Sequence, residues 1–77
     1  MIWLIMWKIF LNLGILYERG ELIPRDMNKS IHYYTLAANQ NFAKAQFKLG
    51  ILYGQGKLIP RDMNKSINYY KLASIFK

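Results

Sequence analysis

Leu22-Ile23-Pro24-Arg25-Asp26-Met27-Asn28-Lys29-Ser30-Ile31 is met again, 36 residues further on, as the same ten residues from Leu58 to Ile67. Upstream of it, Leu13-Gly14-Ile15-Leu16-Tyr17 returns as Leu49-Gly50-Ile51-Leu52-Tyr53. Downstream, Tyr33-Tyr34 and Leu36-Ala37 return as Tyr69-Tyr70 and Leu72-Ala73. Residues 13–41 laid over 49–77 agree at 20 of 29 positions, far beyond chance. A fixed internal period of this length marks a solenoid, in which each unit is one hairpin that buries its apolar face only by stacking on a neighbour.

Each copy reads as two helices. In the second copy, helix A is expected from about Phe42 to Gln55, with Ala43, Phe47, Leu49, Gly50, Leu52 and Tyr53 as core residues at helical spacing. Gly54-Gln55-Gly56 ends it, because glycine reaches the left-handed backbone a helix stop needs. Pro60 cannot continue a helix and keeps Ile59 extended, so Leu58 to Arg61 is a connector. Asp62 is placed to cap helix B, its carboxylate accepting from free N–H groups of the first turn. Helix B then buries Met63, Ile67, Tyr70 and Ala73. The first copy repeats the plan with Gly20, Pro24 and Asp26, and Asn39-Gln40-Asn41 joins the copies, asparagine being next to glycine in tolerance of the left-handed region. Gly14 and Gly50 fall inside helices, where glycine costs about 1 kcal/mol relative to alanine. Close approach of helix B, with Tyr70 or Ala73 on the bare backbone, is the expected compensation. The fold class is therefore all-α, two stacked helix–turn–helix repeats. The units are a hydrophobic extension and helix start over 1–12, a first repeat over 7–41 and a second over 42–77.

Ala43-Lys44-Ala45-Gln46-Phe47-Lys48-Leu49-Gly50-Ile51-Leu52-Tyr53-Gly54-Gln55-Gly56, followed by Pro60-Arg61-Asp62, Lys65-Ser66, Tyr69-Tyr70 and Leu72-Ala73, resembles the Sel1-like repeat. The resemblance covers residues 13–76 and is specific in its motif. It implies a superhelix related to tetratricopeptide arrays and a role in assembling other proteins, as scaffold or adaptor, with no catalytic residues. Departures are Asn41 in place of a linker glycine, and Trp7 and Ile9 where the second copy has Ala43 and Ala45. A branch of the family with paired cysteines is excluded, since the chain has none. The chain begins in mid-repeat, without a preceding helix B. Two copies are fewer than solenoids usually need, so low stability, self-association or membership of a longer array is expected.

Composition narrows the function classes. The chain has 77 residues, one small domain at most, no cysteine and one histidine, so neither disulfides nor a thiol- or imidazole-built metal site is available. Hydrophobic residues make up 53%, which argues against disorder. The net charge of +7 favours an acidic partner, an anionic membrane or nucleic acid, and does not choose among them. An ordinary solvated surface is the favoured reading of this charge over a nucleic-acid footprint. Residues 1–17 carry a single basic group before Tyr17, Lys8. That run is broken at Lys8 and Asn12, short of the roughly 20 apolar residues a membrane span needs, and it lacks a basic start and a clear cleavage site. It reads as a first helix A with an uncovered apolar face, where Trp3, Ile5 and Trp7 form a self-association patch within residues 1–11. Membrane tethering is the alternative, and the cytoplasm the favoured compartment.

A partner face follows from the helical step. Positions 44, 48, 51 and 55 share the side of helix A opposite its core. They are Lys44, Lys48, Ile51 and Gln55, and in the first copy Lys8, Asn12, Ile15 and Arg19. Helix A lines the concave side of tetratricopeptide-like arrays, so by analogy these eight residues form the binding face. Four bases and two isoleucines suit another protein, through an acidic, partly apolar peptide. Positions that differ between copies, such as Glu18/Gly54, Arg19/Gln55, Glu21/Lys57, His32/Asn68 and Thr35/Lys71, are candidate surface. A basic helical repeat could instead bind RNA, though no nucleic acid is expected, the tyrosine pairs reading as packing. Gly54-Gln55-Gly56-Lys57-Leu58 is not a phosphate loop, because Ile51 and Leu58 stand where glycine and Ser or Thr are required. His32 has no ligand partner at metal spacing, and Asp26 and Asp62 are accounted for as caps. Asn28-Lys29-Ser30 and Asn64-Lys65-Ser66 fit a glycosylation pattern but fall in a helical first turn. No enzyme activity and no cofactor are expected.

Overall fold

A computed structural model describes residues 6–75, the side chain of Ile75 excepted. It contains four helices: α1 over Met6–Arg19, α2 over Met27–Ala38, α3 over Ala43–Gln55 and α4 over Met63–Ile75. No strand occurs among the described residues. Helices α1 and α2 pack as one hairpin, α3 and α4 as a second, and α2 lies against α3 to join them. The expected two-hairpin superhelix is what is found.

The starts and stops follow from local chemistry. Asp26 and Asp62 each accept the backbone N–H three residues on, from Lys29 and Lys65, at 3.1 Å. Gly56 takes φ 68° at the end of α3, and Asn41 takes φ 63° between the hairpins, as the left-handed stops require. Each connector is also tied back to its helix A. The Asp26 N–H donates to the Tyr17 carbonyl at 3.0 Å, and that of Asp62 to Tyr53 at 2.9 Å. The Arg25 guanidinium donates to the Glu18 carbonyl at 2.8 Å and that of Arg61 to Gly54 at 3.1 Å, satisfying carbonyls that a helix end leaves free.

Within a hairpin, glycine permits the contact. A Cβ on Gly14 would lie 2.7 Å from the Tyr34 ring, and one on Gly50 would lie 3.0 Å from the Tyr70 ring. Beside each, a serine hydroxyl buried in helix B donates to the glycine carbonyl: Ser30 to Gly14 and Ser66 to Gly50, both at 2.7 Å. These serines, which sequence reading passed over as part of a glycosylation pattern, are therefore buried fasteners. Tyr17 stacks on Tyr33, and Tyr53 on Tyr69, with Lys29 over the Tyr17 ring and Lys65 over that of Tyr53. Aromatic pairs of this kind add about 0.5–1.5 kcal/mol beyond their burial.

The shared core lies between the hairpins. Tyr34, Ala37 and Ala38 of α2 meet Ala45, Leu49 and Leu52 of α3. Gln46 is buried there too and donates its amide to the Ala38 carbonyl at 3.1 Å. Its Oε1 has no donor among the described residues, an omission worth about 1–3 kcal/mol of desolvation.

Several core assignments are corrected. Phe47 is 53% exposed, and Met63, Ile67 and Tyr70 of α4 are exposed as well. The cause is positional. In the first hairpin α3 covers the outer side of α2, whereas no described element covers that side of α4. Ala45 and Gln46, unassigned from sequence, are buried because α2 lies over them. At the other end, Trp7 is half-buried with its ring centroid 3.9 Å from that of Phe42, not part of an exposed patch, while Ile9 is exposed. Trp3 and Ile5 lie outside the described residues.

Candidate functional site

A cleft of about 450 Å³ opens between α1 and α3, with Tyr34 of α2 at its back. Its apolar lining comes from Leu11 and Ile15 on α1 and from Phe47 and Ile51 on α3. Its charged lining comes from Glu18 and Arg19 at the end of α1 and from Lys44 and Lys48 on α3. Four helical positions from each of two helices converge because α1 and α3 are both first helices of their hairpins, set side by side by the stacking.

Five of the eight predicted face residues line this cleft: Ile15, Arg19, Lys44, Lys48 and Ile51. Lys8, Asn12 and Gln55 are exposed and lie outside it. The shift has a simple origin: the cleft uses the latter part of α1 and the earlier part of α3, where Tyr34 closes the back. Lys8 precedes that zone, where its ammonium sits 5.4 Å from the Trp7 ring, and Gln55 follows it. Leu11, Glu18, Tyr34 and Phe47 were missed from sequence. Sequence reading gives Phe47 to the core and marks Glu18 only as a position that differs from Gly54.

Glu18 is the polar centre of the cleft. Its Oε1 accepts the Tyr34 hydroxyl at 2.6 Å and lies 3.3 Å from the Lys48 ammonium. One carboxylate thus links α1, α2 and α3. Burial, then the hydrogen bond and charge of Glu18, push the Tyr34 hydroxyl far above the ordinary tyrosine value, so it stays a donor. The Arg19–Glu21 pair at 3.9 Å is exposed on both sides and contributes little. Counting Glu18 against Arg19, Lys44 and Lys48, the cleft keeps a surplus of positive charge over an apolar floor. Among the described residues no group of three or more His, Cys, Asp or Glu is arranged to hold a metal ion. No described helix is long and apolar enough to cross a membrane.

Two helical hairpins fused through one core, with a cleft along their first helices, define a helical-repeat protein of the α/α superhelix class. The sequence model of the Sel1 repeat matches residues 11–42 and again 43–74, most of the chain, and the chain belongs to the Sel1 repeat family. Its fold is similar to the crystal structure of a Sel1 repeat protein from Oxalobacter formigenes, with a TM-score of 0.84 and 31% identity. That match covers 91% of this chain and 29% of the other, so this chain spans under a third of that relative. No curated protein matches the chain. Sel1 repeats are in general protein-interaction modules without catalytic function.

Proposed function

We propose that this chain is a scaffold or adaptor module whose α1–α3 cleft takes an acidic, partly apolar peptide segment of another protein. The observation that carries this reading is the cleft's composition: four apolar side chains between three bases, with a single acid that already has partners. Apolar side chains of a peptide would fill the floor over Ile15 and Ile51. Carboxylates spaced along it would reach Arg19, Lys44 and Lys48. Charge at the rim would govern the rate of encounter and the choice of partner more than total affinity.

A peptide is favoured over RNA by the state of the aromatic rings. Tyr17 and Tyr33, and likewise Tyr53 and Tyr69, are stacked on each other, with Lys29 and Lys65 over the rings of Tyr17 and Tyr53, which leaves less ring face for bases to stack on. A short labelled peptide alternating Glu and Leu tests the reading by fluorescence anisotropy. Lys44→Glu with Lys48→Glu should weaken its binding about tenfold or more, and the loss should shrink as salt rises. Binding untouched by the double reversal, or a stronger salt-dependent shift with generic RNA, would remove this reading.

A further inference from the structure

Among the described residues Glu18 is the one acid lining the α1–α3 cleft, and the hairpin does not need it. Its counterpart one period on is Gly54. With glycine at that place the second hairpin keeps the same fastenings: Ser66 donates to the Gly50 carbonyl, Arg61 to the Gly54 carbonyl, and Asp62 caps α4. The carboxylate therefore supplies something that the repeat does without.

It supplies a negative charge held in place among bases. Tyr34 donates to Oε1 at 2.6 Å, and the Lys48 ammonium lies 3.3 Å from the same oxygen. Tyr34 is fully enclosed, so its end of the link is fixed. The Glu18 side chain still keeps 18% of its surface open, and Oε2 makes no hydrogen bond to a described residue. A carboxylate has about four acceptor positions, so acceptor capacity remains. The bases of the cleft then fall into two groups. Lys48 is engaged by Glu18, whereas Lys44 and Arg19 are exposed, the latter held only by its long, open pair with Glu21. Carboxylates of a ligand are drawn to Lys44 and Arg19. A carboxylate brought to Glu18 meets a like charge and a lysine already engaged, which discriminates by repulsion. A ligand ammonium there would lie beside Lys48. A neutral donor meets neither repulsion, and finds an acceptor.

We propose that Glu18 sets the specificity of this cleft: it admits a peptide with a neutral hydroxyl donor between its acidic residues, and turns away one with an acid at that place. The proposal rests on the peptide-binding function given above and adds which acidic segments the cleft selects.

The test sets two labelled peptides against the unaltered chain and its variants, read by fluorescence anisotropy. Both peptides alternate Glu and Leu, and they differ only at the central acidic position, which is Ser in one and Glu in the other. The unaltered chain should bind the Ser-centred peptide about tenfold more tightly. Glu18→Gln keeps an oxygen to accept the Tyr34 hydroxyl, loses the charge and releases Lys48. With it the preference should vanish, or reverse in favour of the Glu-centred peptide. Tyr34→Phe removes that hydrogen bond but retains the charge, and should keep the preference of the unaltered chain. A role of Glu18 in stability alone would weaken both peptides together and leave their ratio as it was. An unchanged ratio in Glu18→Gln, with both peptides bound and both weakened by the Lys44→Glu, Lys48→Glu double reversal, would overturn this proposal and leave the cleft standing. A ratio that collapses as fully in Tyr34→Phe would also overturn it, because packing and not charge would then set the choice. Binding of neither peptide to any of the chains would overturn the cleft and its specificity together.

Discussion

Gly14 and Gly50 occupy the same place in the repeat and should not tolerate alanine equally. A methyl group on Gly14 would sit 2.7 Å from a tyrosine ring enclosed on every side, while on Gly50 it would sit 3.0 Å from one with an open edge. Alanine gains about 1 kcal/mol of helix propensity at either site. Overpacking costs about 1–3 kcal/mol, so at Gly14 it should exceed that gain and leave a net loss of up to about 2 kcal/mol, and at Gly50 it should nearly cancel it. Urea unfolding of the two variants measures the difference, and equal losses would contradict the packing described. Tyr34 makes a second prediction. Its hydroxyl is held neutral by burial and by Glu18, so its pKa in the folded chain lies above the unfolded value of about 10. Stability from that group is complete below about pH 10 and is lost as the pH rises further, because the unfolded chain then releases a proton the folded chain retains. Stability should therefore fall through that alkaline range, and less steeply for Tyr34→Phe, as urea midpoints at several pH values would show.

At the scale of the element, each hairpin is bounded by the same short set of bonds. Aspartate caps helix B, arginine closes the end of helix A, and serine joins the two at the glycine. Asp26→Ala and Asp62→Ala should each cost about 1 kcal/mol, and serine at either position should restore most of it. The two losses should add, since the caps share no partner. A double variant much less stable than the sum, by urea unfolding, would show that the caps act on a common element. The helix ends were legible from sequence because a cap, a proline and a left-handed stop act on residues within a few positions of themselves. The contribution of Ser30 and Ser66 was not legible, because their acceptors lie 16 residues away on another helix.

The molecule as a whole is a slab, 31 by 29 by 15 Å, only about two helices thick. Its shared core is a single seam between α2 and α3, so a large share of apolar surface remains uncovered. For 77 residues an unfolding enthalpy of about 50 kcal/mol is typical. With one seam the midpoint should be low and should rise with protein concentration as open faces associate. Calorimetry over a range of concentrations checks this. A concentration-independent midpoint above about 65 °C would show that the seam alone suffices.

The 36-residue echo, the proline, the glycines and the two aspartates were enough to specify four helices and their pairing into hairpins, because each acts through backbone geometry close by in the chain. Which identical residues end up covered was settled only in space. Tyr34 and Tyr70 share a motif and differ in burial because one has a helix laid over it. The same holds for the cleft: helical spacing placed Ile15, Lys44, Lys48 and Ile51 on one side, but Glu18 joined them only through Tyr34 and Lys48 on neighbouring helices. Burial and charge pairing are properties of neighbours in three dimensions, and a repeat unit does not carry its neighbours with it.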